Sequence, residues 1–258
     1  PDTECWGTDQ NVCCELIHLY CLSPLIDAGK IYERPDYIEK AHTILEYYKK
    51  NYYEKIMNFS LLSHFYAYVI EALLDVGEVE MAREAMDKIA NFQKRSGAVP
   101  AYHNMDWVCS TGLFQFALIW FRLGNIERGN VAFEYACKLQ NETGGWYGSY
   151  ISEENTNEKN TYFPYEEISW ANKFFLDALY YKNKAEFESV SDIFLDTISK
   201  DDERYTTIRD AISDFKNAKI LDLGCGKGRY LKNLLEDGLE NQYYGVDISQ
   251  NVMKELTQ

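Results

Sequence analysis

Over its first two hundred residues the chain alternates between helices that are apolar on almost every side and helices with one charged face. The run Leu113-Phe-Gln-Phe-Ala-Leu-Ile-Trp-Phe121 is broken only by Gln115, whereas Glu78 to Lys94 carries its charges down one side. A helix apolar all round belongs inside a protein, and an amphipathic one belongs on its outside. The alternation recurs with a period near 47. Leu-Ile-Asp-Ala-Gly29, Leu-Leu-Asp-Val-Gly77 and Trp-Phe-Arg-Leu-Gly124 each end an apolar helix at a glycine, which is predicted to take the left-handed position just past the last turn. Amphipathic helices follow at roughly 35–51, 78–95 and 126–141. A fourth pair falls at about 165–182 and 185–199, with Asn183 in place of the glycine. Inner and outer helices alternating in this way predict a mainly α fold, an α/α-hairpin toroid or arc of about four helix pairs over residues 1–200.

The repeat has a second register mark. Gln93-x-x-x-Gly97 returns as Gln140-x-x-x-Gly144 and runs on to Trp146 as QNETGGW. This resembles the QW repeat of the prenyltransferase and terpene-cyclase α/α toroids, in which the Gln caps helices and the Trp stacks on the previous turn. The acidic D-x-D-D motif of the proton-initiated cyclases is absent, as is a zinc set, so the resemblance implies a fold and not an activity. In such a fold the loops leading from outer to inner helices gather at one end. They offer Trp6 and Asp9, then Tyr102, His103, Asp106 and Trp107, then Trp146, Tyr147, Tyr150, Tyr165, Glu166 and Glu167. Aromatic faces beside carboxylates suit a sugar. The same aromatics can equally plug the end of a toroid. Glu166 and Glu167 diverge by about 100° on a helix, which makes them poor partners for paired acid/base work. His103 reads as a hydrogen-bonded loop histidine, and Glu153 to Asn160 as a mobile polar loop.

The pattern changes at residue 200. Tyr205, Ile208, Ile212 and Phe215 mark one helical face, and the stretch KILDLGCGKGRYL, residues 219–231, follows. It reads as a strand at Ile220 to Leu223, three alternating glycines, a helix at Arg229 to Glu236, and a second strand at Gln242 to Val246 ending on Asp247. Glycines let a backbone turn tightly and approach a ligand, and an acidic residue about 20 positions further on is placed to accept ribose hydroxyls. A dinucleotide loop has the form G-x-G-x-x-G; here Gly224, Gly226 and Gly228 alternate strictly and Asp222 stands inside the strand. A carboxylate there repels a pyrophosphate and attracts an amino group. The pattern resembles motif I of the class I S-adenosylmethionine-dependent methyltransferases, and GVDIS, Gly245 to Ser249, resembles their next acidic motif. The resemblance implies that Asp222, Leu223, Gly224, Cys225, Gly226 and Gly228 hold the methionine part of S-adenosylmethionine and Asp247 its ribose. It also implies that residues 201–258 are the truncated start of a Rossmann-like domain whose complete form has seven strands. Two strands and a helix leave apolar surface uncovered. We therefore expect weak or absent cofactor binding by this stretch alone, and self-association through its incomplete sheet. The start on Pro1 and the stop soon after Asp247 read as the middle of a longer polypeptide.

Composition narrows the partners. A net charge of −15 argues against nucleic acid, which is held by Lys and Arg, and against a peripheral helix on anionic lipid. No apolar run approaches a membrane span, and PDTECWGTDQ lacks the features of a signal peptide. Seven cysteines without zinc spacing read as buried thiols in a reducing cytoplasm, with no metal site. The chain thus reads as a fragment of a S-adenosylmethionine-dependent methyltransferase with a helical substrate- or partner-binding module, acting on a small molecule or a glycan precursor. The acceptor's base is unassigned. One rival makes the toroid itself a carbohydrate-active epimerase, lyase or hydrolase, which requires His103, Asp106 and Glu166 to converge. Another makes it a protein-interaction scaffold.

Overall fold

The computed structural model describes residues 14–151 and 160–256, and the chain divides into two compact units, Pro1–Lys182 and Asn183–Gln258. Trp6 and Asp9, and most of the polar loop at 153–160, lie outside the described residues.

The first unit is built of helix pairs, and the chain as a whole is mainly helical with few short strands. A 3₁₀ helix, Cys14–Cys21, leads into α1 (Leu22–Ile31), and α2 (Pro35–Met57) returns along it. Then come α3 (Ser63–Asp75) with α4 (Val79–Ala90), α5 (Ser110–Arg122) with α6 (Ile126–Lys138), and α7 (Ser169–Ser189). The inner helices are the apolar ones. All of α5 from Ser110 to Phe121 is buried, while α4 and α6 bury only one stripe each. Gly77 and Gly124 take positive φ values, 91° and 79°, and end α3 and α5 as the repeat requires. Two elements differ from the expected pattern. At Gly29, α1 continues to Ile31, because Gly29 is used for close approach: a Cβ there would lie 2.6 Å from Ile38 Cγ1 and 2.9 Å from the carbonyl of Arg34. The expected fourth pair is one unbroken helix, α7, since Asn183 sits among helix-forming neighbours and has no glycine's freedom to end it.

Of the two glutamines of the register mark, Gln93 joins successive repeats and Gln140 closes its own loop. Gln93 Nε2 donates to the carbonyl of Arg128 at 3.1 Å, and the Arg128 guanidinium donates back to Gln93 Oε1 at 3.2 Å. Gln140 Nε2 donates to the carbonyl of Gly144, and Trp146 Nε1 donates to that of Ala136, both at 2.8 Å. Short strands β1 (Val108–Cys109) and β2 (Ser149–Tyr150) pair antiparallel beside the start of α5. There α5 meets α3. The position of a Cβ on Gly112 is already filled by the Ser63 side chain and lies 2.9 Å from the backbone nitrogen of His64.

In the second unit, α8 (Glu203–Ile212) precedes β3 (Lys219–Leu223), α9 (Arg229–Glu236), β4 (Gln242–Val246) and α10 (Gln250–Leu256). The strands are parallel, with Leu221 opposite Tyr244 and Leu223 opposite Val246. Tyr205 of α8 is fully buried and donates its hydroxyl to Asp237 at 2.6 Å. Phe215, expected on the same helical face, falls past the end of α8 and is exposed. One face of the sheet is uncovered: Leu221, Leu223, Tyr244 and Val246 are each more than half exposed. Among the described residues no helix is long and apolar enough to cross a membrane.

Because the Ser63 side chain and the His64 backbone occupy the space, Gly112→Ala should destabilise the helical unit by roughly 1–3 kcal/mol, the usual cost of overpacking. Urea denaturation followed by far-UV circular dichroism checks this. Alanine at Gly77, where a Cβ would meet open space, should cost only the strain of its positive φ, roughly 1 kcal/mol.

Candidate functional site

The glycine loop joins β3 to α9, and its own backbone holds it. Gly224, Gly226 and Gly228 have φ values of 76°, 53° and 67°, a left-handed run that a chain of L-residues would resist. The N–H groups of Gly224 and Cys225 both donate to the carbonyl of Val246, at 2.7 and 3.2 Å, and that of Gly228 donates to the carbonyl of Cys225 at 3.0 Å. The N–H of Gly226 donates to Asp247 Oδ2 at 2.8 Å, while Asp247 Oδ1 accepts from the N–H of Ser249 at 2.9 Å. Four loop donors are thus already committed. Two carboxylates stand beside them. Asp222 takes no hydrogen bond among the described residues, and burial raises its carboxyl above the usual range, opposed by the Arg229 guanidinium and reinforced by Asp247. Around Gly224 and Gly226 the positions a Cβ would take are empty to 4 Å. Open space beside two carboxylates fits a ligand with an amino group and ribose hydroxyls, as S-adenosylmethionine has. Next to the loop a cavity of about 540 Å³ opens between α8, α9 and the sheet, lined by Ile208, Ile212, Asp222, Leu234, Tyr243 and Met253 among others.

The segment that carries Asp247 is itself held. Glu188 accepts from the N–H groups of Gln250 at 2.6 Å and Asn251 at 3.2 Å, and from the Ser249 hydroxyl at 3.1 Å. A carboxylate on the first N–H groups of α10 satisfies donors that the helix cannot pair internally. Cys225 packs over Gly245, where a Cβ would lie 2.7 Å from its Sγ. Burial, followed by Asp222 and Asp247, raises the Cys225 thiol, so it is a packing group here.

Of the sequence-predicted pocket residues in the helical unit, those among the described residues fall into separate contacts. Trp107 and Trp146 are core side chains, each 2% exposed. Trp146 packs edge-on against Phe114 with ring centroids 5.0 Å apart, and Tyr102 leans on Trp107 at 5.9 Å. His103 is exposed, Asp106 lies 3.5 Å from Lys94 Nζ, and Glu166 is exposed on a different loop. Glu167 is tied to Thr143 and to Asn141, the latter at 2.9 Å. Tyr147 and Tyr150 stack obliquely at 5.7 Å, and Tyr165 is 81% exposed. No described contact joins His103, Asp106 and Glu166.

A different set converges instead. Along α3, His64, Tyr68, Glu71 and Asp75 share one face; along α5, Thr111, Gln115 and Arg122; along α7, Lys173, Asp177 and Tyr181. His64 Nδ1 lies 2.7 Å from Gln115 Oε1, so Nδ1 carries the proton. Tyr68 packs against Tyr20 at 4.7 Å and Phe174 at 5.6 Å. Arg122 pairs with Asp75 at 2.7 Å and lies over Tyr181, and Lys173 pairs with Asp177 at 2.6 Å and lies over Phe174. Burial lowers His64 to about 4, with Gln115 opposing and Lys173 adding to the shift. Burial raises Glu71 to about 7, and Lys173, Asp75, Arg122 and Asp177 act on it as well. Sequence reading passed over Glu71 and His64. The available signal was a lone charge and a lone imidazole inside the apolar run SHFYAYVIEALLD. Among the described residues no group of His, Cys, Asp and Glu is arranged to hold a metal ion.

Comparison with known proteins bears on the second unit. Residues 214–258 match a family described as a methyltransferase domain. No curated protein matches the chain. A solved structure resembling it is that of a possible member of the GH105 family from Salmonella enterica serovar Paratyphi A. The TM-score is 0.48 at 15% identity, over 63% of this chain and 54% of that one. The chain thus spans about half the length of that protein.

Glu71 and His64 oppose each other in pH. Between about pH 4 and 6.5 the unfolded chain holds the His64 proton that the folded one has lost, so His64 makes stability rise with pH. Between about pH 4.5 and 7 the folded chain holds the Glu71 proton that the unfolded one has lost, so Glu71 makes stability fall with pH. Urea midpoints of the parent should therefore change little over the overlap. Those of Glu71→Gln should rise from pH 4.5 to 6.5 and then level, where the parent declines toward pH 7.5.

Proposed function

We propose that this chain carries the cofactor-binding start of a S-adenosylmethionine-dependent methyltransferase, joined to a helical module that binds the acceptor, a small molecule or a glycan precursor. The observation that carries the reading is the glycine loop with four of its N–H donors committed and two carboxylates, Asp222 and Asp247, beside it. The match of residues 214–258 to a methyltransferase domain supports it. Asp222 would receive the amino group and Asp247 the ribose hydroxyls. Gly224 and Gly226 leave room for the methionine chain. When bound, S-adenosylmethionine supplies a methyl group on a positively charged sulfur, open to attack by a nucleophile. This chain's part is to bind and orient. Asp247, pinned by Gly226 and Ser249, keeps its acceptors fixed, and Glu188 holds the segment behind it. The cysteines described are unpaired, in keeping with a cytoplasmic setting.

A second reading, that the helical module is itself carbohydrate-active, requires His103, Asp106 and Glu166 to converge, and no described contact joins them. Its support now lies in the group around Glu71.

Saturation-transfer NMR on this chain tests the cofactor reading, since it detects millimolar binding. Adenosine protons of S-adenosylmethionine should receive transfer, and Asp247→Ala should reduce it about tenfold or more; NAD should receive none. Transfer to NAD, or a S-adenosylmethionine signal indifferent to Asp247, overturns the reading. Isothermal titration should place the dissociation constant weaker than about micromolar, a limit corresponding to roughly −8 kcal/mol.

A further inference from the structure

Between the end of α7 and the start of α8, the chain runs along the parts of the second unit that carry the glycine loop and Asp247. The carbonyl of Ile198 accepts from Asn233 Nδ2 of α9 at 2.7 Å, and Asp196 lies 3.2 Å from Nζ of Lys227 in the glycine loop. A 3₁₀ turn, Ser191–Ile193, packs against α10, and the rings of Phe187 and Phe194 stack with centroids 6.3 Å apart. The most heavily bonded side chain of this stretch is Glu188, in the last turn of α7. Its Oε1 accepts from the N–H of Gln250, and its Oε2 accepts from the N–H of Asn251 and from the Ser249 hydroxyl. Ser249 is fully buried and donates its own N–H to Asp247 Oδ1. A side chain 61 residues away from Ser249 in sequence thus stands one hydrogen-bonded residue from Asp247.

We propose that Glu188 is a positioning residue for Asp247, acting through Ser249 to set where that carboxylate stands for a ribose. The proposal rests on the reading of Asp247 as the ribose acceptor. Asp247 lies at the junction of β4 and α10, so its backbone is set from both sides. On the strand side the Val246 carbonyl is tied to the N–H groups of Gly224 and Cys225. On the other side stands α10, which at seven residues is too short to be stable by itself. Its first N–H groups have no partners within the helix, and Glu188 supplies them. The contact selects a carboxylate. All three donors are met by acceptors on both oxygens, whereas an amide would turn its own N–H₂ toward a donor. Asp247 Oδ2 is meanwhile held by the Gly226 N–H, so a shift at Ser249 must be taken up by the carboxylate between them. The stretch that matches a methyltransferase domain begins at residue 214, and Glu188 lies outside it. The ribose acceptor is therefore aimed by a residue on α7, a helix that the match does not include.

The test compares the whole chain with Glu188→Gln, which keeps the size of the side chain and gives up one acceptor oxygen. Amide hydrogen exchange followed by NMR reads Asp247 directly. The Gly226 N–H, bonded to Asp247 Oδ2, should exchange about tenfold faster in the variant, while that of Gly228, bonded to the Cys225 carbonyl, should not change. A general loosening of the unit would speed both. Saturation transfer to adenosine and to its 2′,3′-dideoxy analogue reads the ligand side. The parent should favour adenosine about tenfold, because the analogue has no hydroxyls for a carboxylate to accept from. Glu188→Gln should bring adenosine down toward the analogue and leave the analogue's own transfer as it was. If circular dichroism shows that Glu188→Gln does not fold, Glu188→Asp provides the second reading. Its carboxylate, set back by one methylene, cannot keep all three bonds, and it should show the same two changes. Unchanged Gly226 exchange in the folded variant, equal acceleration of Gly226 and Gly228, or a retained preference for adenosine overturns the proposal. Equal transfer to the two nucleosides in the parent overturns the cofactor reading as well, so the two failures are seen separately.

Discussion

The helical unit depends on the approach of α5 to α3 at Gly112. A side chain there would have to share space with Ser63 and with the backbone of His64. Because none is present, the two inner helices come close enough for His64 and Gln115 to bond at 2.7 Å. The close approach also brings Thr111 into the same interior. Inner helices nearly without polar residues would pack at many rotations about their axes. A buried hydrogen bond between two particular side chains removes most of those choices, since leaving either partner unpaired is expensive. Packing supplies the energy and the polar pair supplies the register.

The second unit works by a related economy with backbone groups. Each N–H in a glycine loop is a donor that must go somewhere. Here the carbonyl of Val246, at the end of the neighbouring strand, takes two of them, and the side chain of Asp247 takes a third. Holding the loop through the adjacent strand makes its shape a property of strand pairing. The same residue that anchors the loop, Asp247, is the one proposed to accept the ribose hydroxyls. Loop geometry and ligand contact cannot then vary independently.

Much of this was legible in the sequence, and the reasons separate cleanly. The limits of α9 and β4 followed from apolar runs punctuated by glycine and an acidic turn, all of them local signals. The helix pairs were visible because the period repeats three times, and Gly77 and Gly124 end helices as their spacing said. Gly29 has the same spacing but serves the approach of α2, which depends on Ile38 and Arg34 rather than on its own neighbours. Trp107 and Trp146 looked like pocket walls because aromatic residues in loops serve both interiors and sites, and the choice is made by what covers them. The stripe of His64, Tyr68, Glu71 and Asp75 was spaced correctly for one helical face. Its meaning required α5 and α7 to turn their own polar positions the same way, and such a coincidence of three separate segments leaves no mark in any one of them.

The balanced ion pairs along that stripe have an electrostatic consequence at longer range. The chain carries a net charge of −15, so its surface potential is strongly negative. Potentials of this kind steer molecules on approach, repelling anions and concentrating cations before any contact is made. Within the stripe, Arg122 cancels Asp75, Lys173 cancels Asp177, and burial disfavours ionisation of Glu71. Those pairs are only partly buried, with the Lys173 and Asp177 side chains 50% and 36% exposed and those of Arg122 and Asp75 17% and 28%. Each pair sums to zero charge, so the stripe adds little to the acidic field that an approaching molecule meets within about a Debye length of the surface.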